Sequence, residues 1–146
     1  MTRLESSVLI NKPAKDIFAF INTPENHPKF VPGMLEFNKT SPGPLGQVGA
    51  TACGVRKFLG RTMELPYEIV EYEPNSKLEM KGVMGLIRFK DGYVLDPMGN
   101  STRVNFWLEP VLSGLLKLAS PLVALVGKTH ANETLANLKK AVETAP

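Results

Sequence analysis

A chain of 146 residues, 43% hydrophobic and 21% charged, can bury one sizeable core and leaves little room for a second domain. Its 17 Lys and Arg against 14 Asp and Glu leave a net charge of +3, and no basic run forms a stripe, which argues against a nucleic-acid partner. Cys53 is the sole cysteine, so no intrachain disulfide can form.

Leu4–Ile10 reads as a first strand, too short and too mixed for the apolar core of a secretory signal, so the default location is cytoplasmic. Asn11-Lys12-Pro13 opens a helix whose Ala14, Ile17, Phe18 and Ile21 fall on one face. Thr23-Pro24-Glu25 reads as a second start, with Thr23 as N-cap and Pro24 in the first turn, and Pro28 and Pro32 keep that helix short. Strands follow: Leu35 and Phe37 alternate with polar neighbours, and Gly49–Phe58 and Thr62–Tyr72 form a hairpin around Leu59-Gly60-Arg61. Lys77–Met84, Leu86–Asp96 and Thr102–Glu109 complete the series, each set off by a turn-rich connection.

The last third is a long helical stretch. Its first half, VLSGLLKLASPLVALV, is apolar nearly all round, which predicts burial on several sides. Its second half narrows to a stripe of Ala131, Leu135, Leu138 and Val142. Ser120-Pro121 reads either as an N-cap and first-turn proline or as a kink; the favoured reading is one helix from about Ser113, bent near Pro121. The run Val111–Val126 carries Lys117 and Pro121 and falls short of a membrane span. Transient contact with a bilayer surface stays open.

Period-2 alternation assigns strand side chains to faces. Met63, Leu65, Tyr67 and Ile69 share one, followed by Leu78, Met80 and Met84, then Ile87, Phe89, Tyr93 and Leu95, then Val104, Phe106 and Leu108. These faces must pack on the long helix. A space between the two would be lined by Met63, Leu65, Tyr67, Met80, Met84, Ile87, Phe89, Tyr93 and Phe106 from the sheet, and by Leu115, Leu118 and Leu122 from the helix.

Asp91 shares the inward register of Phe89 and Tyr93, where a carboxylate is costly unless hydrogen-bonded or facing a wet cavity. The competing and favoured reading makes Asp91-Gly92 a bulge that turns the acid outward. Asp91, Tyr67 and Tyr93 are the candidate catalytic set. His27, between Asn26 and Pro28, reads as a surface turn residue; His130 is read as more often groove-packed than pocket-facing. Neither belongs to a metal motif, and no phosphate loop, dinucleotide fingerprint or nucleophile elbow occurs, so no metal or cofactor is expected. Trp107 falls in the outward register, where an exposed indole would suit a homodimer contact.

The opening VLINKPAKDIFAFINTPENHPKFVPGM resembles the start of START-like proteins of the polyketide cyclase/dehydrase type, the SRPBCC superfamily. The resemblance continues through SPGPLGQVGATACGV, LGRTMELPYEIVEYEPNSKLEMKG, the GNSTRV turn and the closing ETLANLKKAVE, and covers essentially the whole chain. Coenzyme Q-binding proteins are similar in outline. The resemblance implies an α+β helix-grip fold in β-α-α-β6-α order: an antiparallel, roughly seven-stranded sheet around a long C-terminal helix and an apolar cavity. It implies ligands such as lipids, polyketides or quinones and transfers no catalytic residue. The favoured function is a carrier or sensor of a hydrophobic small molecule; the second is a polyketide cyclase or dehydratase using cavity acid/base groups.

Overall fold

The computed structural model describes residues 3–144. Seven strands, β1 (Leu4–Ile10), β2 (Met34–Lys39), β3 (Thr51–Phe58), β4 (Arg61–Glu73), β5 (Lys77–Met84), β6 (Ile87–Met98) and β7 (Ser101–Val111), form one antiparallel sheet in the order β1-β7-β6-β5-β4-β3-β2. Helices α1 (Ala14–Ile21) and α2 (His27–Phe30) connect β1 to β2, and α3 (Ser120–Thr144) closes the chain. The order and topology agree with the helix-grip expectation.

Strand alternation builds the wall. Leu65, Tyr67, Ile69, Leu78, Met80, Tyr93, Leu95, Val104 and Phe106 are all buried on the inner face. Two irregularities interrupt the pattern. A register shift between Met34 and Glu36 puts Met34 and Phe37 on the same side and leaves Leu35 53% exposed. A second shift lies between Ile69 and Glu71. None occurs at Asp91-Gly92, which pair regularly with Met80 and Glu79 on one side and Leu108 and Trp107 on the other.

The C-terminal stretch differs from the expectation. Gly114–Ala119 is a 3-10 helix, and the α-helix begins at Ser120 with Pro121 in its first turn, so the proline starts α3 rather than bending it. The apolar half is not buried on several sides: Leu115, Leu118, Leu122 and Leu125 are exposed, at 85%, 82%, 63% and 66%. The second half behaves as the stripe predicts, with Ala131, Leu135, Leu138 and Val142 buried. Near the middle of α3, Gly127 lets the helix approach β1 so closely that a Cβ there would collide with Leu4 Cδ1. Asn137 donates to the Phe30 carbonyl and ties α3 to α2.

Thr23 precedes the 3-10 turn Pro24–Asn26, as expected of a cap position, but its hydroxyl donates backward to the Ala19 carbonyl at 2.8 Å. Trp107 does lie on the outer face, yet its indole is 5% exposed. The Arg3 guanidinium sits 3.9 Å above the ring, and Gly92 on the neighbouring strand leaves room for it. The exposed indole on which the dimer expectation rested is absent. No helix among the described residues is long and apolar enough to cross a membrane.

Candidate functional site

The sheet and the first half of α3 enclose a cavity of about 380 Å³, within the range of small-molecule sites. β4 contributes Leu65 and Tyr67; β5 contributes Met80 and Met84; β6 contributes Ile87, Phe89, Asp91 and Tyr93. Phe106, Leu108 and Pro110 come from β7, and Leu122, Val123, Val126, Gly127, His130 and Thr134 from α3. α2 and the start of β2 supply His27, Val31, Met34 and Phe37, and β3 with its turn supplies Arg56, Phe58 and Leu59.

Three expected wall residues lie elsewhere. Met63 is partly buried beside the turn at Gly85 and does not reach the cavity. Leu115 and Leu118 belong to the 3-10 segment, are exposed, and do not border the cavity. The other nine named lining residues all border the space.

Aromatic rings floor the cavity. Tyr67 leans on Phe37 and Phe89, with centroids 5.4 and 5.7 Å apart, and Tyr93 packs on Phe106 at 4.9 Å. Small residues make room: Tyr67 is flanked by Ala52 on β3 and Gly82 on β5, and a Cβ on Gly82 would lie 3.1 Å from Tyr67 Cδ1.

Asp91 faces inward, 8% exposed, because the ladder around it is regular. The bulge reading is thereby corrected. Its Oδ1 is buried without a hydrogen-bond partner, and burial pushes its pKa from 3.8 up to about 7. Burial also raises both cavity tyrosines well above the usual phenol range, with the Asp91 charge adding to it. The result is an apolar chamber with a protonatable acid and two phenols in its wall.

Sequence reasoning missed three polar groups. His27 is 2% exposed rather than superficial; its Nε2 lies 2.7 Å from the Ile21 carbonyl and its ring stacks on Phe37 at 3.9 Å. Burial lowers its pKa to about 4, so the ring is neutral and donates that bond. His130 borders the cavity rather than a packed groove, and its Nδ1 lies 3.2 Å from Arg56 Nη2. Burial, aided by the Arg56 charge, holds its pKa near 4. Arg56 was assigned no role. Two signals point to these groups: Ala52, Gly54, Arg56 and Phe58 alternate along β3, and Leu122, Val126, His130 and Thr134 recur at helical spacing on α3. Among the described residues no group of three or more His, Cys, Asp or Glu could hold a metal ion.

The sequence profile of one family, described as polyketide cyclase/dehydrase and lipid transport, matches residues 1–143. The chain belongs to that family. Among curated proteins, none matches the sequence. Solved structures with the same fold include TTHA0849 from Thermus thermophilus, at 16% identity and a TM-score of 0.80, covering 97% of each chain. A START superfamily protein from Mycobacterium smegmatis aligns at 17% identity and a TM-score of 0.74, over 97% of this chain and 94% of that one. The di-domain ARO/CYC BexL of the BE-7585A biosynthetic pathway aligns at 15% identity and 0.75, over all of this chain but 48% of its own length. At these identities the polyketide cyclase/dehydrase and lipid-transport family shares its architecture with such structures, while the cavity side chains are this chain's own.

Proposed function

We propose that the protein binds a hydrophobic small molecule between the sheet and α3, as a carrier or sensor. One observation carries this reading: a cavity of about 380 Å³ whose wall is aliphatic and aromatic apart from a few polar groups. Membership of a family described by lipid transport as well as cyclisation supports it. A neutral fluorescent probe such as N-phenyl-1-naphthylamine should bind the wild-type protein and be excluded by Met80→Trp, which fills the space beside Asp91, its cross-strand neighbour. Undiminished uptake by a folded Met80→Trp protein would contradict the assigned cavity.

Loading at a lipid surface fits the mouth of the cavity. The β3–β4 and β5–β6 turns and the end of β7 lie at one end of the sheet, because Phe58 pairs with Arg61, Met84 with Ile87 and Arg88 with Val111. Leu59, Leu86, Leu115 and Leu118 are each more than 80% exposed there. Exposed Lys57, Arg61, Arg88 and Lys117 stand among them, a combination suited to anionic bilayers.

The second reading is an enzyme that moves protons on a polyketide-like substrate, and the buried, unpartnered Asp91 beside Tyr67 and Tyr93 favours it. The structural likeness to the di-domain ARO/CYC BexL is in keeping with it. It predicts that Asp91→Asn abolishes turnover while sparing ligand binding; unchanged turnover would remove Asp91 from any catalytic role.

A further inference from the structure

The cavity wall holds a cation that no carboxylate among the described residues pairs with directly. Arg56 borders the space from β3, its guanidinium 5.6 Å over the Phe58 ring. The ion pairs among the described residues are Arg3–Glu109, Lys77–Glu71, Lys81–Glu68 and Lys139–Glu143, and none involves Arg56. Arg56 Nε is buried without a hydrogen-bond partner. Among the described residues, the one side chain within hydrogen-bond distance of the guanidinium is His130, at 3.2 Å. An arginine only donates, so His130 Nδ1 accepts with its lone pair and the ring proton sits on Nε2. That imidazole neutralises no charge. Its own Nε2–H has no protein partner among the described residues, and the ring borders the same cavity.

A half-buried cation with unpaired donors is costly in an apolar wall unless an anion meets it. The acids that could do so from the protein are ill placed or neutral. Glu133 on α3 is exposed: its charge reaches Arg56 and favours the charged guanidinium, but at a distance and through solvent, with no ion pair between them among the described residues. Asp91, also in the cavity wall, forms no ion pair with Arg56, and burial keeps it mostly protonated below about pH 7. Among the described residues, then, no carboxylate pairs directly with the guanidinium, at a site where a ligand's polar end would arrive.

Resting on the binding function proposed above, we infer that the ligand is an acid: an apolar body ending in one ionised oxygen group, a carboxylate or an acidic enol, held by the Arg56 guanidinium with the His130 Nε2–H beside it. A single cation matches a monoanion, whereas a phosphate dianion would leave excess negative charge in the chamber. His130 then serves to orient the guanidinium and adds one donor. Tyr67, Tyr93 and the protonated Asp91 remain available to other oxygens on the ligand.

Displacement of N-phenyl-1-naphthylamine by a matched pair, dodecanoate and dodecanol, tests this at pH 6, where the carboxylate is ionised. The wild-type protein should prefer dodecanoate by about tenfold or more, as expected of charge-assisted hydrogen bonds. Arg56→Met should erase the preference while keeping dodecanol affinity, and Arg56→Lys should retain part of it. Equal affinity of the wild-type protein for the two amphiphiles would overturn the inference while leaving the apolar cavity in place. So would a preference that survives Arg56→Met. Failure of the probe and both amphiphiles to bind would overturn the binding function itself, and the acid preference with it.

Discussion

Asp91 and His27 show how burial alone sets chemistry at single residues. The Asp91 carboxyl titrates near pH 7 when folded against an ordinary 3.8. The native state therefore keeps a proton that the unfolded chain has lost, so stability is full below about pH 4 and declines as the pH rises to about 7, by roughly 4 kcal/mol. His27 acts in the opposite sense, because its folded pKa of about 4 lies below the ordinary 6.5. Its contribution is full above pH 6.5 and is lost as the pH falls toward 4. In urea titrations, Asp91→Asn should gain on the wild-type protein by a few kcal/mol between about pH 4 and pH 8; a pH-independent difference would contradict the buried acid. The inward place of Asp91 was legible in period-2 spacing, and the regular ladder decides it against the bulge. His27 was not legible, since Asn-His-Pro looks like a surface turn and only packing on Phe37 brings the ring inside.

Among the elements, strands were read well because one face of each is buried and the alternation is clean. Errors gathered where neighbouring elements override the local pattern. Leu35 is displaced by a register shift, and Trp107 is covered by Arg3, a residue remote in sequence. The Trp107 site depends on Gly92, where a Cβ would sit 2.6 Å from the indole Nε1. Gly92→Ala should cost about 1–3 kcal/mol by overpacking. The cost should shrink in a Trp107→Phe background, which removes that nitrogen; equal costs in a double-mutant cycle would show that the two residues do not share the strain. The long apolar run was misread for a related reason. Hydrophobicity all round does indicate burial in an ordinary globular helix, but here Leu115 and Leu118 are exposed, and Leu122, though it borders the cavity, is exposed as well.

At the scale of the whole molecule, one end of the sheet combines the cavity residues Phe58, Leu59, Met84 and Ile87 with exposed leucines and basic side chains. Leu59 is the most telling of these. It occupies the β3–β4 turn at a φ of 51°, is 87% exposed and borders the cavity. Asparagine or glycine would tolerate that left-handed backbone at less cost, by roughly 1 kcal/mol. Leu59→Asn should therefore raise stability slightly in denaturant melts while weakening sedimentation with vesicles containing phosphatidylglycerol. Leu118→Asp should weaken it further. Undiminished vesicle binding by both variants would rule out this end as the membrane-facing surface.

The central claim is that the space between the sheet and α3 holds a hydrophobic ligand. Native mass spectrometry of gently purified protein, followed by extraction of what it carries and by incubation with dodecanoate, tests it most directly. The account predicts a stoichiometric adduct of one apolar acid, either retained from the cell or formed on incubation, and its loss in Met80→Trp. A wild-type protein that emerges empty and takes up nothing would contradict it.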